Sequence, residues 1–413
     1  MNLRRIPGFI YHNKYFTGGI LFTFILIFYL LYHWGIICSN FEARRQVSEV
    51  CNNYENGMAL GVLCEPLCLK QSIHSFTCEN LHSGKEVVFS AYWETTRIVF
   101  KSSKKRLPSE QYESLHWIDT LGYKHYPSEK EFEKMISDLV FTRLNITIGN
   151  RQLERLSHLR LGHLETDEKR RNFEMENIWS LLQENEYLIS ILYEDREIFP
   201  RLIGTCGTFY AVEYAKPIKN PTTALALLDT THDWSKRLQI AIMILDLIDE
   251  LENNFPESFI LCDVKIYHFG LPIGGQRLKY LDLDAVFPKA VASRLTADGR
   301  TCIKHNDCDY FDCKSVCSVN KLCESPVINN NLQIICEKVF LGWKLSGTII
   351  IPGLLMSRKT NENLTALLNQ CAHIGRPRYI NFENLSKIST PLTIKTKLYD
   401  ILTEMVRHYA AST

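Results

Sequence analysis

Four polar side chains in one short stretch of the chain could carry out chemistry on a charged substrate. They are Asp263, His268, Asp282 and Asp284. Asp263 could accept or orient the proton of a hydroxyl group, and Asp282 could hold a divalent cation. Side chains two residues apart in an extended segment project to the same face, so Asp284 could join Asp282 as a ligand. The imidazole of His268 would suit manganese better than magnesium.

The elements that must position these side chains follow a definite order. Gly274-Gly275 favours a tight β-hairpin turn, which gives an acid-bearing loop, a strand, a turn, a strand and a second acid. This order resembles the catalytic loop and metal-binding Asp of protein kinases. The resemblance is partial, because the Arg and Asn of the kinase loop are Cys262 and His268 here. The Phe-Gly pair that follows the second acid in kinases is also replaced.

A kinase further needs a lysine and a glutamate that hold the nucleotide phosphates. Residues 85–101 are predicted to form two strands, and Lys101 ends the second one, as the phosphate-binding lysine does. An amphipathic helix is predicted over 177–192. Glu186 in this helix is the candidate partner of Lys101, with Glu184 as the alternative.

A hinge for the adenine ring is predicted next. Two further strands, 199–204 and 209–214, end at Glu213 and Tyr214, where the backbone could hydrogen-bond the base. The glycine-rich phosphate loop of kinases is poorly represented, because Gly84 stands alone before the first strands.

The remaining large-lobe elements are predicted to be helical. Residues 233–251 carry an apolar stripe at helical spacing and lead into the acid-bearing loop, with Asp233 or Thr231 as the N-cap. Segments 340–345 and 398–405 present further apolar helical faces.

The region 107–165 exceeds a minimal small lobe. Asp119–Gly122, followed by a helix over 129–140, has some likeness to an EF-hand. It lacks the alternating oxygen ligands of a calcium loop. A helical hairpin is therefore the prediction for this insert.

The N-terminus predicts a membrane anchor. Residues 16–37 contain no Asp, Glu, Lys or Arg and are long enough to span a bilayer. Arg4, Arg5 and Lys14 precede them, which predicts a cytosolic N-terminus. A cleavable signal peptide would have a shorter apolar region that ends in small residues, so an uncleaved type II signal anchor is favoured. The two arginines could also act as an endoplasmic reticulum retention signal.

The 14 cysteines agree with a lumenal domain. In an oxidising lumen their clusters favour disulfides over zinc. If Cys38 and Cys262 are free, the other twelve could form six bridges, whose pairing the sequence leaves open. Asn145, Asn363 and Asn384 are in glycosylation sequons.

The composition of the chain is ordinary for a globular protein. The formal net charge is +1, which gives no indication of a nucleic-acid partner. Charged residues make up 23% and apolar residues 46% of the chain, as in globular proteins.

Several specific segments resemble the divergent protein kinase domain 1 family of single-pass endoplasmic reticulum proteins. They are residues 262–263, 281–284, 307–313 and 331–336. The resemblance implies an α+β, two-lobed protein-kinase-like fold that is lumenal, disulfide-rich and behind an N-terminal transmembrane helix. It also implies ATP with Mg or Mn as cofactor.

The expected organisation follows from these assignments. The predicted parts are a cytosolic tail (1–15), a signal anchor (16–37), a cysteine-rich stem (38–80), a small lobe (81–214) and a large lobe (215–413) with a cysteine-rich segment (302–336). The expected function is transfer of phosphate from ATP to hydroxyls of lumenal or secreted proteins in the endoplasmic reticulum. The alternative is an inactive pseudokinase that acts as a lumenal binding or scaffold protein.

Overall fold

A computed structural model describes residues 14–33, 40–78, 86–103, 114–157, 168–219, 229–345, 348–372 and 392–410. The α-helices are α1 (Lys14–His33), α2 (Asn40–Glu55), α3 (Glu129–Leu144), α4 (Asn150–Ser157), α5 (Glu168–Leu182), α6 (Asn185–Leu192), α7 (Thr231–Asn253), α8 (Lys289–Thr296), α9 (Asn331–Ile335), α10 (Glu362–Ala372) and α11 (Leu392–Ala410). Shorter helical turns are Glu65–Leu69, Ile266–His268, His305–Cys308 and Cys336–Leu341. The predicted features that lie outside the described residues are Arg4, Arg5, residues 34–37, Cys38, Gly84 and Asn384.

The strands are β1 (Ile73–Cys78), β2 (Glu86–Trp93), β3 (Thr96–Ser103), β4 (Trp117–Ile118), β5 (Lys124–His125), β6 (Leu202–Cys206), β7 (Phe209–Glu213), β8 (Ala215–Pro217), β9 (Phe259–Leu261), β10 (Phe269–Pro272), β11 (Lys279–Tyr280), β12 (Val286–Pro288), β13 (Gly342–Leu345) and β14 (Thr348–Pro352). The chain divides into two compact units. The first comprises Met1–Lys124, Leu161–Leu181 and Ile203–Glu213, and the second comprises His125–Arg160, Leu182–Leu202 and Tyr214–Thr413.

The first unit is built on a five-stranded sheet of order β1-β2-β3-β7-β6. Strands β2 and β3 pair antiparallel from Glu86↔Ser103 to Trp93↔Thr96, which confirms the two strands predicted over 85–101. Alternation places Phe89 and Phe100 in the core, where their rings stack with centroids 5.3 Å apart. The two strands predicted before the hinge are β6 and β7.

The segment predicted as a stem is part of this unit's core. Strand β1 pairs antiparallel with β2 at the edge of the sheet. Val47 and Val50 of α2 are buried in the same hydrophobic cluster as the sheet residues. Disulfides Cys51–Cys68 and Cys64–Cys206 link the segment to itself and to β6.

The single helix predicted over 177–192 is wrong. The chain forms α5 and α6 with a break at Gln183 and Glu184, and Glu184 occupies the N-cap position of α6. The four residues at the break, 183–186, are polar but buried. Polar residues at this point are also compatible with the solvent face of one continuous amphipathic helix, so the pattern did not reveal the interruption.

The second unit has α7 as its longest described helix. Its N-cap is Thr230, whose hydroxyl accepts the Asp233 N–H (3.1 Å), so the caps predicted at Thr231 and Asp233 are wrong. Helix α11 packs along α7 and confirms the helix predicted at 398–405. The helix predicted at 340–345 is wrong, because a helical turn ends at Leu341 and β13 follows.

The buried guanidinium of Arg237 joins α7 to a neighbouring loop. It donates to the carbonyl oxygens of Leu354 (2.7 Å) and Met356 (2.9 Å) and forms an ion pair with Asp229. Loop carbonyls without a helical partner are thereby satisfied by one charged side chain.

The insert contains a short β-hairpin followed by α3 and α4, which pack together as predicted for a helical hairpin. The Asp119 carboxylate accepts the N–H groups of Leu121 and Tyr123, both at 2.9 Å, and so closes the turn between β4 and β5. This turn is an Asx-type structure.

The described cysteines form disulfides, and none of them is free. Besides the two bridges above, four more join described cysteines with each other: Cys262–Cys313, Cys302–Cys317, Cys308–Cys323 and Cys336–Cys371. Cys78 is also disulfide-bonded. The preference for disulfides over zinc is confirmed. The assumption that Cys262 is free is wrong, because a buried partner 51 residues away in sequence pairs with it.

None of the described helices combines the length and hydropathy of a bilayer-spanning segment.

Candidate functional site

A β-hairpin positions the acids of the second unit. Strands β10 and β11 pair at Phe269↔Tyr280 and Gly270↔Lys279, and the turn passes through Gly274, whose φ of +72° favours glycine. The hairpin predicted from Gly274-Gly275 is therefore confirmed. The hairpin also brings together the residues that flank its two strands: the Leu281 N–H donates to the His268 carbonyl (2.7 Å).

The hairpin gathers three of the predicted site residues. Ligand atoms of Asp263, His268 and Asp282 all lie within 4.8 Å of one another. His268 Nε2 is 3.1 Å from Asp282 Oδ2, and His268 Nδ1 is 3.1 Å from the Asp263 carbonyl oxygen. Burial lowers the pKa of His268 and outweighs the opposing effect of the nearby Asp282 and Asp263 charges.

A second group of possible ligands shares Asp282 with the first. Oxygen atoms of Glu186, Asp282 and Asp284 lie within 4.8 Å of one another. Glu186 is 1% exposed, whereas Asp282 is half-buried and Asp284 is exposed. That Asp282 and Asp284 serve one cation stays a prediction, and Glu186 is an additional candidate ligand.

Asp263 has a cationic neighbour that the sequence analysis missed. Lys265 Nζ lies 2.8 Å from Asp263 Oδ2, with both side chains partly exposed. Burial opposes the charge on Lys265, but the hydrogen bond and charge of Asp263 prevail, so the pKa of Lys265 is raised. The position of Lys265, two residues after the acid, is the signal that could have found it.

The backbone of the acid-bearing loop is held by residues distant in sequence. The Val264 N–H donates to Asp312 Oδ2 (2.8 Å), and the Asp312 N–H donates to the Cys262 carbonyl (2.6 Å). The Tyr280 hydroxyl donates to the Asp263 carbonyl (2.7 Å). These roles were also missed, because contacts across 17 and 48 residues leave no local pattern.

The other predicted nucleotide-binding residues are distributed over both units. Lys101 lies in β3 opposite Val88 and Tyr210, and Glu213 ends β7 opposite Ile98, all in the first unit. Tyr214 begins the last segment of the second unit. The ion pair of Lys101 with Glu186 and the adenine contacts at Glu213 and Tyr214 stay predictions.

Comparison with known proteins gives matches over most of the chain. Residues 9–158 match the family model described as "N-term cysteine-rich ER, FAM69". Residues 178–374 match the one described as "Protein-kinase domain of FAM69". A human protein, "Divergent protein kinase domain 2A", is 24% identical over 197 residues, which are 45% of this chain and 43% of that protein. The chain thus spans less than half the length of this relative.

Proposed function

The chain belongs to the FAM69 family of divergent, kinase-like proteins, and from this premise we propose that it transfers phosphate from ATP to hydroxyl groups of lumenal or secreted proteins. Support comes from the kinase-like, disulfide-rich second unit and from the gathering of Asp263, His268 and Asp282 beside one hairpin. Phosphoryl transfer depends on positioning and charge neutralisation, for which these residue types are suited.

One observation carries the proposal of a metal-dependent site. The Asp263 carbonyl can only accept a hydrogen bond, so the proton of a neutral His268 ring is assigned to Nδ1. Nε2 then presents its lone pair to Asp282 Oδ2 only 3.1 Å away. Two acceptors this close repel each other unless the ring is protonated or a cation binds both atoms. Since burial disfavours the imidazolium, a shared cation is the better solution.

The donor set fits a divalent cation of the magnesium or manganese type. Carboxylate oxygens of Asp282, Asp284 and Glu186 are hard ligands, and the His268 nitrogen favours manganese over magnesium. Such a cation, when bound with ATP, supplies neutralisation of the phosphate charge.

The other side chains have roles that follow from their placement. Asp263 would accept or orient the proton of the acceptor hydroxyl. Lys265, which is ion-paired with Asp263 and partly exposed, would place a positive charge beside the transferred group. Lys101 would contact the phosphates, and the backbone at Glu213 and Tyr214 would hydrogen-bond the adenine.

The proposed location is the endoplasmic reticulum membrane in type II orientation, with the disulfide-rich part in the lumen. The disulfides support an oxidising compartment. The description of the matched N-terminal family model names the endoplasmic reticulum. The apolar segment 16–37 would be the single anchor, and residues 1–15 the cytosolic tail.

A lumenal pseudokinase or scaffold is the second candidate. It is favoured by the Asp263–Lys265 ion pair, which occupies the carboxylate that would act as base. The replacement of the kinase loop Asn by His268 also favours it.

Calorimetric titration of ATP into the full chain in detergent, with magnesium and with manganese in separate runs, tests the proposal. We expect binding that requires a divalent cation and is tighter with manganese. Asp298→Asn, which changes a carboxylate outside both ligand groups, should bind as the wild type does. Wild-type protein that binds no ATP with either metal would eliminate the kinase and leave the scaffold.

A further inference from the structure

Asn185, the first residue of α6, makes an unusual set of contacts with the segment that carries the two metal-site acids. Its side-chain nitrogen lies 2.8 Å from the Leu283 carbonyl oxygen, 3.1 Å from that of Val286 and 3.3 Å from that of Asp284. An amide nitrogen has two hydrogens, so three carbonyls share them. Asn185 is 8% exposed, which excludes most water from these contacts.

Within the segment, the Val286 N–H donates to the Leu283 carbonyl (3.2 Å), and further backbone hydrogen bonds hold the two ends. The Leu281 N–H donates to the His268 carbonyl (2.7 Å), and the Ala285 carbonyl accepts the Cys262 N–H (2.8 Å). The carbonyls of Leu283 and Asp284 lie between these anchors. Asn185 thus adds contacts from another element to the middle of the segment.

Asn185 is also adjacent in sequence to Glu186, whose carboxylate shares a group of ligand atoms with Asp282 and Asp284. One residue of α6 thus contacts the backbone of the acid segment, and the next places its carboxylate beside the acids. A shift of α6 relative to this segment would have to break the Asn185 contacts.

We propose that Asn185 is a positioning residue that keeps the Asp282–Asp284 segment in register with the start of α6. It holds the three carboxylates in a geometry that one divalent cation can use. The effect on cation binding rests on the metal-dependent function proposed above. The hydrogen bonds of Asn185 to the segment do not depend on that function. The nitrogen is the working atom, since Asn185 Oδ1 has no hydrogen-bond partner among the described residues.

Two substitutions at this position separate positioning from bulk stability. Asn185→Asp keeps the shape of the side chain and replaces both N–H donors with an acceptor oxygen. Asn185→Ala removes the group altogether. Ser315→Ala is a matched control, because the fully buried Ser315 hydroxyl also donates to a backbone carbonyl, that of Ser325 (2.7 Å).

Hydrogen exchange of the full chain is the first measurement. Loss of hydrogen bonds to buried carbonyls is expected to destabilise the segment by about 1.4 kcal/mol. This free energy corresponds to a tenfold change in the rate of hydrogen exchange. We expect amides within 281–286 to exchange about tenfold faster in both Asn185 variants, whereas Ser315→Ala leaves them unchanged. Unchanged exchange in 281–286, or an equal increase throughout the second unit, would overturn the proposal.

Binding of Mn²⁺, followed by the spectrum of the free ion without nucleotide, is the second measurement. Affinity should fall about tenfold in both Asn185 variants and stay unchanged in Ser315→Ala. Equal Mn²⁺ affinity in wild type and Asn185→Ala would overturn the positioning role. If the wild type binds no Mn²⁺, the proposed metal-dependent function fails, and the exchange result alone decides the contacts of Asn185.

Discussion

His268 is the residue whose protonation state decides how the candidate site behaves. The residue is 4% exposed, and its ring faces the charged groups of Asp282, Asp263 and Lys265. A neutral ring leaves Nε2 available as a ligand, whereas an imidazolium would compete with any cation for Asp282. The stability of the apo protein and its metal affinity should therefore depend on the same proton.

The pH dependence of stability tests this assignment. Because the pKa of His268 is lowered on folding from 6.5, the unfolded chain takes up the proton first as pH falls. The free energy of unfolding should decrease below about pH 6.5 until the lowered pKa of the folded state is passed. Denaturant titrations at several pH values should show this decrease in the wild type and a smaller one in His268→Asn. Equal decreases in both proteins would contradict the assignment.

Substitution of the two acids should separate binding from transfer. Asp282→Ala removes a negative charge that faces the cation, and a charge-assisted contact contributes about 1.5–3 kcal/mol. Calorimetry should show metal–ATP affinity about tenfold lower or worse. Asp263→Ala should retain ATP binding and abolish phosphate transfer, measured with radiolabelled ATP and a mixed protein acceptor. The assigned roles would be wrong if Asp263→Ala lost ATP binding and Asp282→Ala kept it.

At the scale of elements, a disulfide links the acid-bearing loop covalently to the cysteine-rich segment. Cys262 and Cys313 are disulfide-bonded, and the neighbouring Asp312 accepts the Val264 N–H and contacts Lys338 Nζ at 3.1 Å. In kinases that are regulated by phosphorylation, the segment after the metal-binding Asp must be mobile. Here the corresponding segment is covalently tied to the residue before Asp263.

The paired variant Cys262→Ser/Cys313→Ser should unfold more easily. Loss of a bridge that closes a loop of this size is expected to cost about 2–4 kcal/mol, measured by denaturant titration under non-reducing conditions. ATP affinity should fall as well, because the bridge adjoins Asp263. The comparison variant is Cys302→Ser/Cys317→Ser, which removes a bridge between cysteines only 15 residues apart. This variant should keep the ATP affinity of the wild type. Equal ATP affinities in the two paired variants would argue against a role of the first bridge in the site.

Some of these elements were predictable from sequence and others were not. Strands β2 and β3 were predicted within residues 85–101, because β-branched and aromatic residues there flank a polar turn. The break between α5 and α6 was missed, because its polar residues 183–186 are also compatible with the solvent face of one continuous helix, although they are buried. The acids were found from their spacing around the hairpin. Asn185 and Asp312 were not, since an Asn or Asp that bonds a distant backbone has no sequence signature.

At the scale of the whole molecule, the N-terminal cysteine-rich segment cannot be treated as an appendage. It contributes β1 to the sheet and Val47 and Val50 to the core of the first unit. A shortened chain that begins after this segment would expose the edge of β2 and part of the apolar core.

Glycosylation tests the proposed lumenal orientation. Asn363 is exposed in the first turn of α10, whereas the amide of Asn145 donates to Glu257 (2.8 Å) and accepts from Arg294 (3.0 Å). We expect a glycan on Asn363 and none on Asn145, measured by mass spectrometry before and after glycosidase treatment of protein from the secretory pathway. Asn363→Gln should remove the modification at that site. The orientation would be wrong if no sequon were occupied and protease outside intact microsomes digested the large domain.

The bridge between Cys64 and Cys206 has a consequence for how the chain is made. The two cysteines are 142 residues apart, and Cys64 lies between the partners of the Cys51–Cys68 bridge. At a synthesis rate of about 5–20 residues per second, Cys64 is synthesised roughly 7–28 s before its partner exists. During that interval the two nearest thiols are wrong partners. Biosynthesis of this protein should therefore require a disulfide isomerase, or a chaperone that shields Cys64 until Cys206 arrives.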